Sequence, residues 1–224
     1  MTQYMRAALF LFFVPLFIGS ACSNRPSNPS QAVQSNRQAK RELGQFTCLP
    51  GTSYQMAPIQ SRNEGGFSSS YESYTHNYVF LNAASVSFIK LLDSNSFLIT
   101  STLQFPNLGS DLPLYEATPR LKCEPDNERV KWLLYTVVKE DTNQDKRLSA
   151  EDFKTLAVSD ASGQGYTELI SNVQKLYGQA FQPETERLIV IYRSDNTNQV
   201  SVIDLPARKV VSTKPLIDLG SDIE

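Results

Sequence analysis

Oxygen-bearing side chains recur at a regular spacing between Asp141 and Asp152, where they could bind a hard cation. Counted along these twelve residues, side-chain oxygens fall at positions 1, 3, 5, 9 and 12, and position 7 offers its backbone carbonyl. Calcium takes six to eight oxygen ligands from carboxylates, carbonyls, hydroxyls and water. The spacing therefore predicts a Ca²⁺ site formed by six residues: Asp141, Asn143, Asp145, Arg147, Ser149 and Asp152.

This spacing resembles the calcium loop of EF-hand proteins, with two departures. Lys146 stands at the sixth position, where the loop has glycine, and a left-handed backbone there costs about 1 kcal/mol for other residues. Asp152 stands in place of the closing glutamate, and its shorter arm makes bidentate closure harder. We therefore expect weak affinity, on the order of 10⁻⁴ to 10⁻³ M. The alternative is a solvated polar hairpin without an ion.

The flanks of the loop indicate strands, since Trp132 to Val138 and Thr155 to Val158 are rich in β-branched and aromatic residues. Without a helix pair to open, we expect a structural calcium clip and not a sensor. The arrangement resembles the loops of bacterial EF-hand-containing lipoproteins.

The N-terminus has the pattern of a secretory signal peptide over residues 1–21. Arg6 precedes an apolar run from Ala7 to Ile18, and small residues follow. A membrane span is the alternative, but the run is shorter than the ~18 residues a span needs, and Pro15 interrupts it.

The sequence from Ile18 to Cys22 resembles a bacterial lipobox, which implies lipidation of Cys22. Gly19 departs from the usual leucine, so ordinary cleavage after Ala21 stays open. The chain has three cysteines, and lipidating one of them leaves an even pair, Cys48 and Cys123. Export favours a disulfide between these two; two buried free thiols are the alternative.

After the signal peptide, residues 22–45 are rich in Ser, Asn, Gln, Arg and Pro, which predicts a disordered tether behind the lipidated cysteine. Residues 46–224 then form a single β-rich domain. The predicted strands are Tyr78–Leu81, Val86–Ile89, Phe97–Thr100, Trp132–Val138, Thr155–Val158, Tyr166–Ile170, Leu188–Tyr192 and Val200–Ile203.

Three of these strands end in Asn or Asp before a short turn, at Asn82, Asp160 and Asp204, with offsets of 78 and 44 residues. A period near 44 with four strands is typical of a propeller blade. The segment from Tyr177 to Tyr192, continuing to Leu205, resembles a TolB-like propeller repeat. The prediction is an all-β fold of antiparallel sheets forming an incomplete or small β-propeller, with a β-sandwich or meander as alternatives. Its open sheet edges would need capping by the 104–131 insert, the N-terminal segment or a partner.

Charge and composition exclude several functions. The 21 basic and 23 acidic residues give no reason to expect nucleic acid binding. His76 is the only histidine, so histidine-rich metal sites are excluded, and no nucleophile-elbow motif or phosphate-binding glycine loop is present. We expect no enzymatic activity.

The resulting expectation is a calcium-stabilised lipoprotein of the cell envelope, anchored to a membrane through lipid, facing the periplasm or exterior and contacting an envelope protein. The main alternative is a glycan- or peptide-binding module, and an unrecognised enzyme comes third. Aromatic residues able to stack on a ligand are Tyr54, Phe67, Tyr71, Tyr74 and Tyr78.

Overall fold

The computed structural model describes residues 40–62, 73–106 and 129–217, which all lie in one compact unit spanning 37–224. The described residues form twelve strands and no helix. None of them belongs to a helix long and apolar enough to span a membrane. The strands are β1 (Arg41–Leu43), β2 (Thr47–Cys48), β3 (Tyr54–Arg62), β4 (Ser73–Asn82), β5 (Ser87–Lys90), β6 (Leu98–Phe105), β7 (Trp132–Val138), β8 (Lys154–Asp160), β9 (Thr167–Gln182), β10 (Arg187–Ser194), β11 (Thr197–Asp204) and β12 (Lys209–Pro215).

All strands belong to one sheet in which neighbours along the chain mostly pair with each other. The order is β1-β3-β4-β6-β7-β8-β9-β10-β11-β12, with β2 added to β3 and β5 added to β4. Every pairing is antiparallel. β1 and β12 stand at opposite ends of this order, so the sheet is open. The predicted fold class, all-β with antiparallel sheets that do not close into a ring, is confirmed.

The sheet folds over itself so that its central strands are buried on both faces. In β7, Leu133, Tyr135 and Val137 point into one hydrophobic core, whereas Leu134 points into a second core. β8 adds Leu156 and Val158 to the second core, and its intervening residues are buried as well. A strand in solvent on one face would alternate buried and exposed residues. β7 and β8 therefore form a middle layer between the strands before them and those after them.

β9 is the strand that passes from the middle layer to the outer one. Its first residues pair with β8 and its last with β10, over 16 residues in total. Asn172 has a positive φ of 57° at the change of pairing. Because β9 stays continuous, three strands lie between Asp160 and Asp204, whereas the 44-residue period predicted four.

The three side chains predicted to end strands do cap turns. Asn82 Oδ1 accepts the Ala84 N–H at 2.9 Å, Asp160 Oδ1 accepts that of Ser162 at 2.9 Å, and Asp204 Oδ1 accepts that of Ala207 at 2.9 Å. Such side chains hydrogen-bond their own backbone two or three residues on. Each of the eight predicted strands overlaps an observed strand.

β3 and β1 were not predicted as strands. Pro58 sits in the middle of β3, and proline in a strand pattern argues against a central strand. The Pro58 carbonyl accepts the Gly44 N–H at 2.8 Å. Because the nitrogen and the carbonyl of a strand residue point to the same side, the Pro58 nitrogen also faces the gap between β1 and β2. The missing N–H of proline therefore removes no hydrogen bond between paired strands. β1 lies inside the segment 22–45 that was predicted to be a disordered tether. Residues 41–43 are thus strand, held by pairing with Ile59 to Ser61.

Candidate metal site

The predicted calcium loop connects β7 to β8 and has a strand on each side, as expected. β7 ends at Val138 and β8 begins at Lys154, in direct register with it. Most of the loop is exposed, but Asp152 is fully buried. The loop is therefore a hairpin connector on a buried middle layer.

The first three predicted ligands turn into the loop. The Asp145 N–H lies 3.1 Å from Asp141 Oδ1 and 3.0 Å from Asn143 Oδ1, so these two oxygens converge on one amide. Asp141 Oδ2 accepts the Lys146 N–H at 2.7 Å, and Asp145 Oδ1 accepts the Arg147 N–H at 2.9 Å. Carboxylate and amide oxygens gathered in this way match the first half of an oxygen site for calcium.

Lys146 has the left-handed backbone that its place in the loop requires. Its φ is 69°, and that of Gln144 is 63°. Left-handed conformations cost residues other than glycine about 1 to 2 kcal/mol each. The Lys146 N–H bond to Asp141 is one of the contacts that hold this strained turn.

Asp152 closes the loop by binding backbone at both of its ends. Oδ1 accepts the N–H groups of Thr142 at 2.7 Å and Asn143 at 3.2 Å, and also the Thr142 hydroxyl at 3.2 Å. Oδ2 accepts the Ser149 N–H at 2.9 Å and its hydroxyl at 3.4 Å. The Thr142 hydroxyl oxygen in turn accepts the Phe153 N–H at 2.9 Å. This carboxylate, at 0% exposure, thus joins the start and end of the loop without a metal.

Two opposing influences set the ionisation of Asp152. Burial raises the pKa of its carboxyl group, but the backbone N–H groups of Ser149, Thr142 and Asn143 together outweigh burial, and the pKa lies below its ordinary value. The group is therefore ionised at neutral pH. Its contribution to folding stability is present at neutral pH and is lost as the pH falls through the lowered pKa.

The residues fit calcium in part. Asp141 and Asn143 offer oxygens that converge on the Asp145 N–H, and Asp145 Oδ1 accepts the Arg147 N–H two residues on. Both oxygens of Asp152, the predicted closing ligand, are already engaged by the loop backbone, and the Ser149 hydroxyl accepts the Glu151 N–H at 3.2 Å. In residues 40–62, 73–106 and 129–217, no three His, Cys, Asp or Glu side chains are grouped as a metal site. The roles of Asp141, Asn143, Asp145, Arg147, Ser149 and Asp152 as ligands all stay predictions.

His76 lies in β4, and its side chain forms hydrogen bonds that join neighbouring segments of the sheet. Its Nδ1 is 2.8 Å from the Phe97 carbonyl, which can only accept, so Nδ1 carries the proton and Nε2 accepts the Ser61 hydroxyl at 2.8 Å. Burial lowers the pKa of His76, the bond to Phe97 raises it, and the charge of Arg41 lowers it, which leaves the pKa below its ordinary value. The neutral imidazole ties β4 to β3 and to the segment before β6.

Asn77 is a buried polar residue that the sequence did not reveal. Its side chain is 0% exposed, and Oδ1 accepts the N–H groups of Tyr78 at 2.8 Å and Leu92 at 3.0 Å. Nδ2 donates to the Leu92 carbonyl at 2.8 Å, the Ser94 carbonyl at 3.3 Å and Asn95 Oδ1 at 2.7 Å. Asn77 therefore fixes the β5–β6 connector against β4. The only feature of the sequence that could have indicated this role is an asparagine inside a run of strand-forming residues.

Two other predicted features are described in part. Cys48 is disulfide-bonded, but its partner lies outside the described residues, as do Cys22 and Cys123, so lipidation and the Cys48–Cys123 pairing stay predictions. Among the aromatic residues considered for ligand stacking, Tyr54 and Tyr78 pack against the first core. Tyr74 is half-buried in β4, and Phe67 and Tyr71 lie outside the described residues.

Comparisons with known proteins identify no family. No protein-family model matches the chain, and no curated protein matches it significantly. Among solved structures, it is similar to the β-propeller domain of the Trilobed protease from Pyrococcus furiosus, reported to have an open velcro topology. The TM-score is 0.39 and the identity 9%, over 80% of this chain and 44% of that chain. The present chain thus spans under half of that chain, and so distant a likeness carries no argument about function.

Proposed function

We propose that this protein is a non-enzymatic lipoprotein of the cell envelope whose β domain is an interaction module. The loop at 141–152 is a structural clip that calcium strengthens. The observation that carries the proposal is an aliphatic sheet face, on the last strands of the fold, that no strand among the described residues covers.

This surface, here called the outer face, is the side of β10 and β11 that points away from the second core. Leu188, Val190 and Ile203 point into the core, so the alternate residues point outward. Across the two strands, Ile189 is paired with Val202, and Ile191 with Val200. The four outward side chains are Ile189, Ile191, Val200 and Val202.

The outer face continues onto β9 with very small residues. Gly178 stands opposite Ile191, and Ala180 opposite Ile189. A Cβ added at Gly178 would meet nothing within 4 Å, so the surface there is open. Ile191 is 38% exposed. The aliphatic side chains of the middle layer, in β7 and β8, are buried on both faces of the sheet. Those of the outer face are partly exposed to solvent. Exposed aliphatic surface of this kind is typical of a site that binds a partner.

Calcium is proposed to bind at Asp141, Asn143, Asp145 and the Arg147 carbonyl, and to neutralise the negative charge gathered there. Its role is local stabilisation of the β7–β8 connector, since a pair of strands offers no helix pair to open. Asp152 holds the loop in shape whether or not the ion is present.

Addition of 10 mM Ca²⁺ is expected to raise the melting temperature of the wild type by about 3 to 6 °C, because a Kd on the order of 1 mM adds roughly 1.4 kcal/mol. Asp141→Asn keeps a hydrogen-bond acceptor but loses the charge, and should lose most of this shift. Glu151→Gln, in the exposed part of the same loop, should keep it. Thermal unfolding, monitored by circular dichroism, measures the shift in melting temperature for the wild type and both variants. Equal shifts in the wild type and Asp141→Asn would contradict the proposed ligand.

Lipid anchoring is tested separately by fractionation of the envelope. We expect the wild type to pellet with membranes and to incorporate labelled palmitate, and Cys22→Ser to do neither, because Cys22 carries the acyl groups. A Cys22→Ser protein that still pellets with membranes would instead favour an uncleaved N-terminal span. A wild type that is soluble and takes up no palmitate would favour cleavage after Ala21.

A further inference from the structure

We infer that the partner bound by the outer face is a protein surface with an aliphatic centre and acidic residues around it. The inference rests on the proposed function, because it names the chemistry of the partner for the same face. It follows from the charges that surround the aliphatic residues.

Basic side chains border the outer face on the side of the β10–β11 turn. Arg193 and Lys175 stand opposite each other on β10 and β9, in the row next to Ile191. Lys214 of β12 stands opposite Val200. Lys175 also lies 5.1 Å from the ring centre of Tyr177, which keeps its ammonium beside the face.

The opposite border carries charges of both signs. Arg187 of β10 is paired with Asp204 of β11, which in turn is paired with Lys209 of β12. Asp204 therefore has a basic residue on each side.

Together these six residues carry a net charge of +4, and the exposed Asp195 and Glu184 of the adjoining turns bring it to +2, whereas the whole chain has a net charge of −2. Such a local excess of basic charge attracts an acidic partner and disfavours a symmetric contact between two copies through this face.

The shape of the outer face favours a protein over a lipid surface. It is formed by paired strands whose Ile and Val side chains are only partly exposed. The aromatic residue beside them, Tyr177, is 41% exposed, but its hydroxyl donates to Asn198 Oδ1 at 3.0 Å, which ties the ring to β11. Proteins that lie in a membrane interface typically present Trp, Phe or Leu that enter the acyl region. When two β-sheets pack face to face, the contact is formed by flat surfaces of this kind, made of side chains such as Ile and Val. A β-layer with an acidic border is therefore the partner that fits.

Site-specific photocrosslinking in cells that produce the full-length protein tests this inference. A photoreactive phenylalanine derivative is placed at Ile191 and, as the control, at Phe88. Phe88 is also apolar and is 72% exposed, but it lies on the β4–β5 hairpin away from the basic border. We expect a protein adduct at Ile191 and not at Phe88, with acidic residues flanking the crosslinked position when the adduct is sequenced by mass spectrometry.

Reversing charges on the basic border tests the acidic partner separately from the proposed function as an interaction module. Arg193→Glu with Lys214→Glu should reduce the Ile191 adduct at least tenfold, whereas Lys90→Glu with Lys139→Glu, away from this face, should leave it unchanged. A protein adduct that is insensitive to reversal, or that contains a second copy of this chain, would overturn the inference and leave an interaction module in place. A lipid adduct at Ile191 would overturn the inference in favour of a membrane surface. No adduct at either position would overturn both.

Discussion

Asp152→Ala is expected to destabilise the protein by about 3 kcal/mol in calcium-free buffer, which lowers the melting temperature by about 6 to 12 °C. The substitution leaves the N–H groups of Thr142, Asn143 and Ser149 without their acceptor. An unsatisfied buried donor costs roughly 1 to 3 kcal/mol, and water reaches some of these exposed loop amides, which limits the total. Thermal unfolding in EDTA measures the loss.

Glu151→Ala is the matched control, because it removes a neighbouring carboxylate that is exposed. It should change the free energy of unfolding by less than about 0.5 kcal/mol. If Asp152→Ala melted like the wild type in EDTA and differed only with calcium present, Asp152 would be a metal ligand and not the residue that closes the loop.

Acid titration gives an independent view of the same carboxylate. Because its pKa is lowered in the folded state, the stabilisation by Asp152 is present above the ordinary aspartate pKa of the unfolded chain and is lost as the pH falls through the lowered value. The free energy of unfolding of the wild type should therefore fall more steeply than that of Asp152→Ala over this acid range.

Asn77→Leu is expected to cost about 4 kcal/mol, the largest effect among these substitutions. Leucine has a similar volume but leaves the Tyr78 and Leu92 N–H groups and the Leu92 carbonyl without their buried partner. The β5–β6 connector would then lose its attachment to β4. Urea unfolding should show a lower midpoint with an unchanged slope.

Asn95→Ala is the control for this site, since it removes one of the bonds of Asn77 and leaves the rest. It should cost about 1 kcal/mol. Equal losses for the two variants would show that Asn77 acts through Asn95 alone and would contradict a role in holding the whole connector.

The strands could be predicted where local composition and burial agree. β7, β8, β10 and β11 are runs of β-branched and aromatic residues, and they form the layers around the two cores. β12 was missed because its residues are mostly exposed, so its sequence shows neither an apolar run nor a clear alternation. β3 was missed because the tolerance for Pro58 depends on where β1 and β2 meet it, which is a long-range feature.

The candidate site could be predicted only in its local part. Ligand spacing placed Asp141, Asn143 and Asp145 on one loop, and the structure brings oxygens of Asp141 and Asn143 together at the Asp145 N–H. The engagement of Asp152 could not be predicted, since it depends on the side chain turning inward against backbone ten residues away in sequence. The same limit applies to Asn77, whose partners other than Tyr78 lie 15 to 18 residues along the chain.

Amide hydrogen exchange in the metal-free wild type tests most directly the claim that the loop is closed by its own carboxylate. With EDTA present, the N–H groups of Thr142, Asn143 and Ser149 should exchange at least tenfold more slowly than in Asp152→Ala, because Asp152 accepts all three. Rates in the metal-free wild type equal to those of Asp152→Ala, with protection appearing only after calcium is added, would contradict the account.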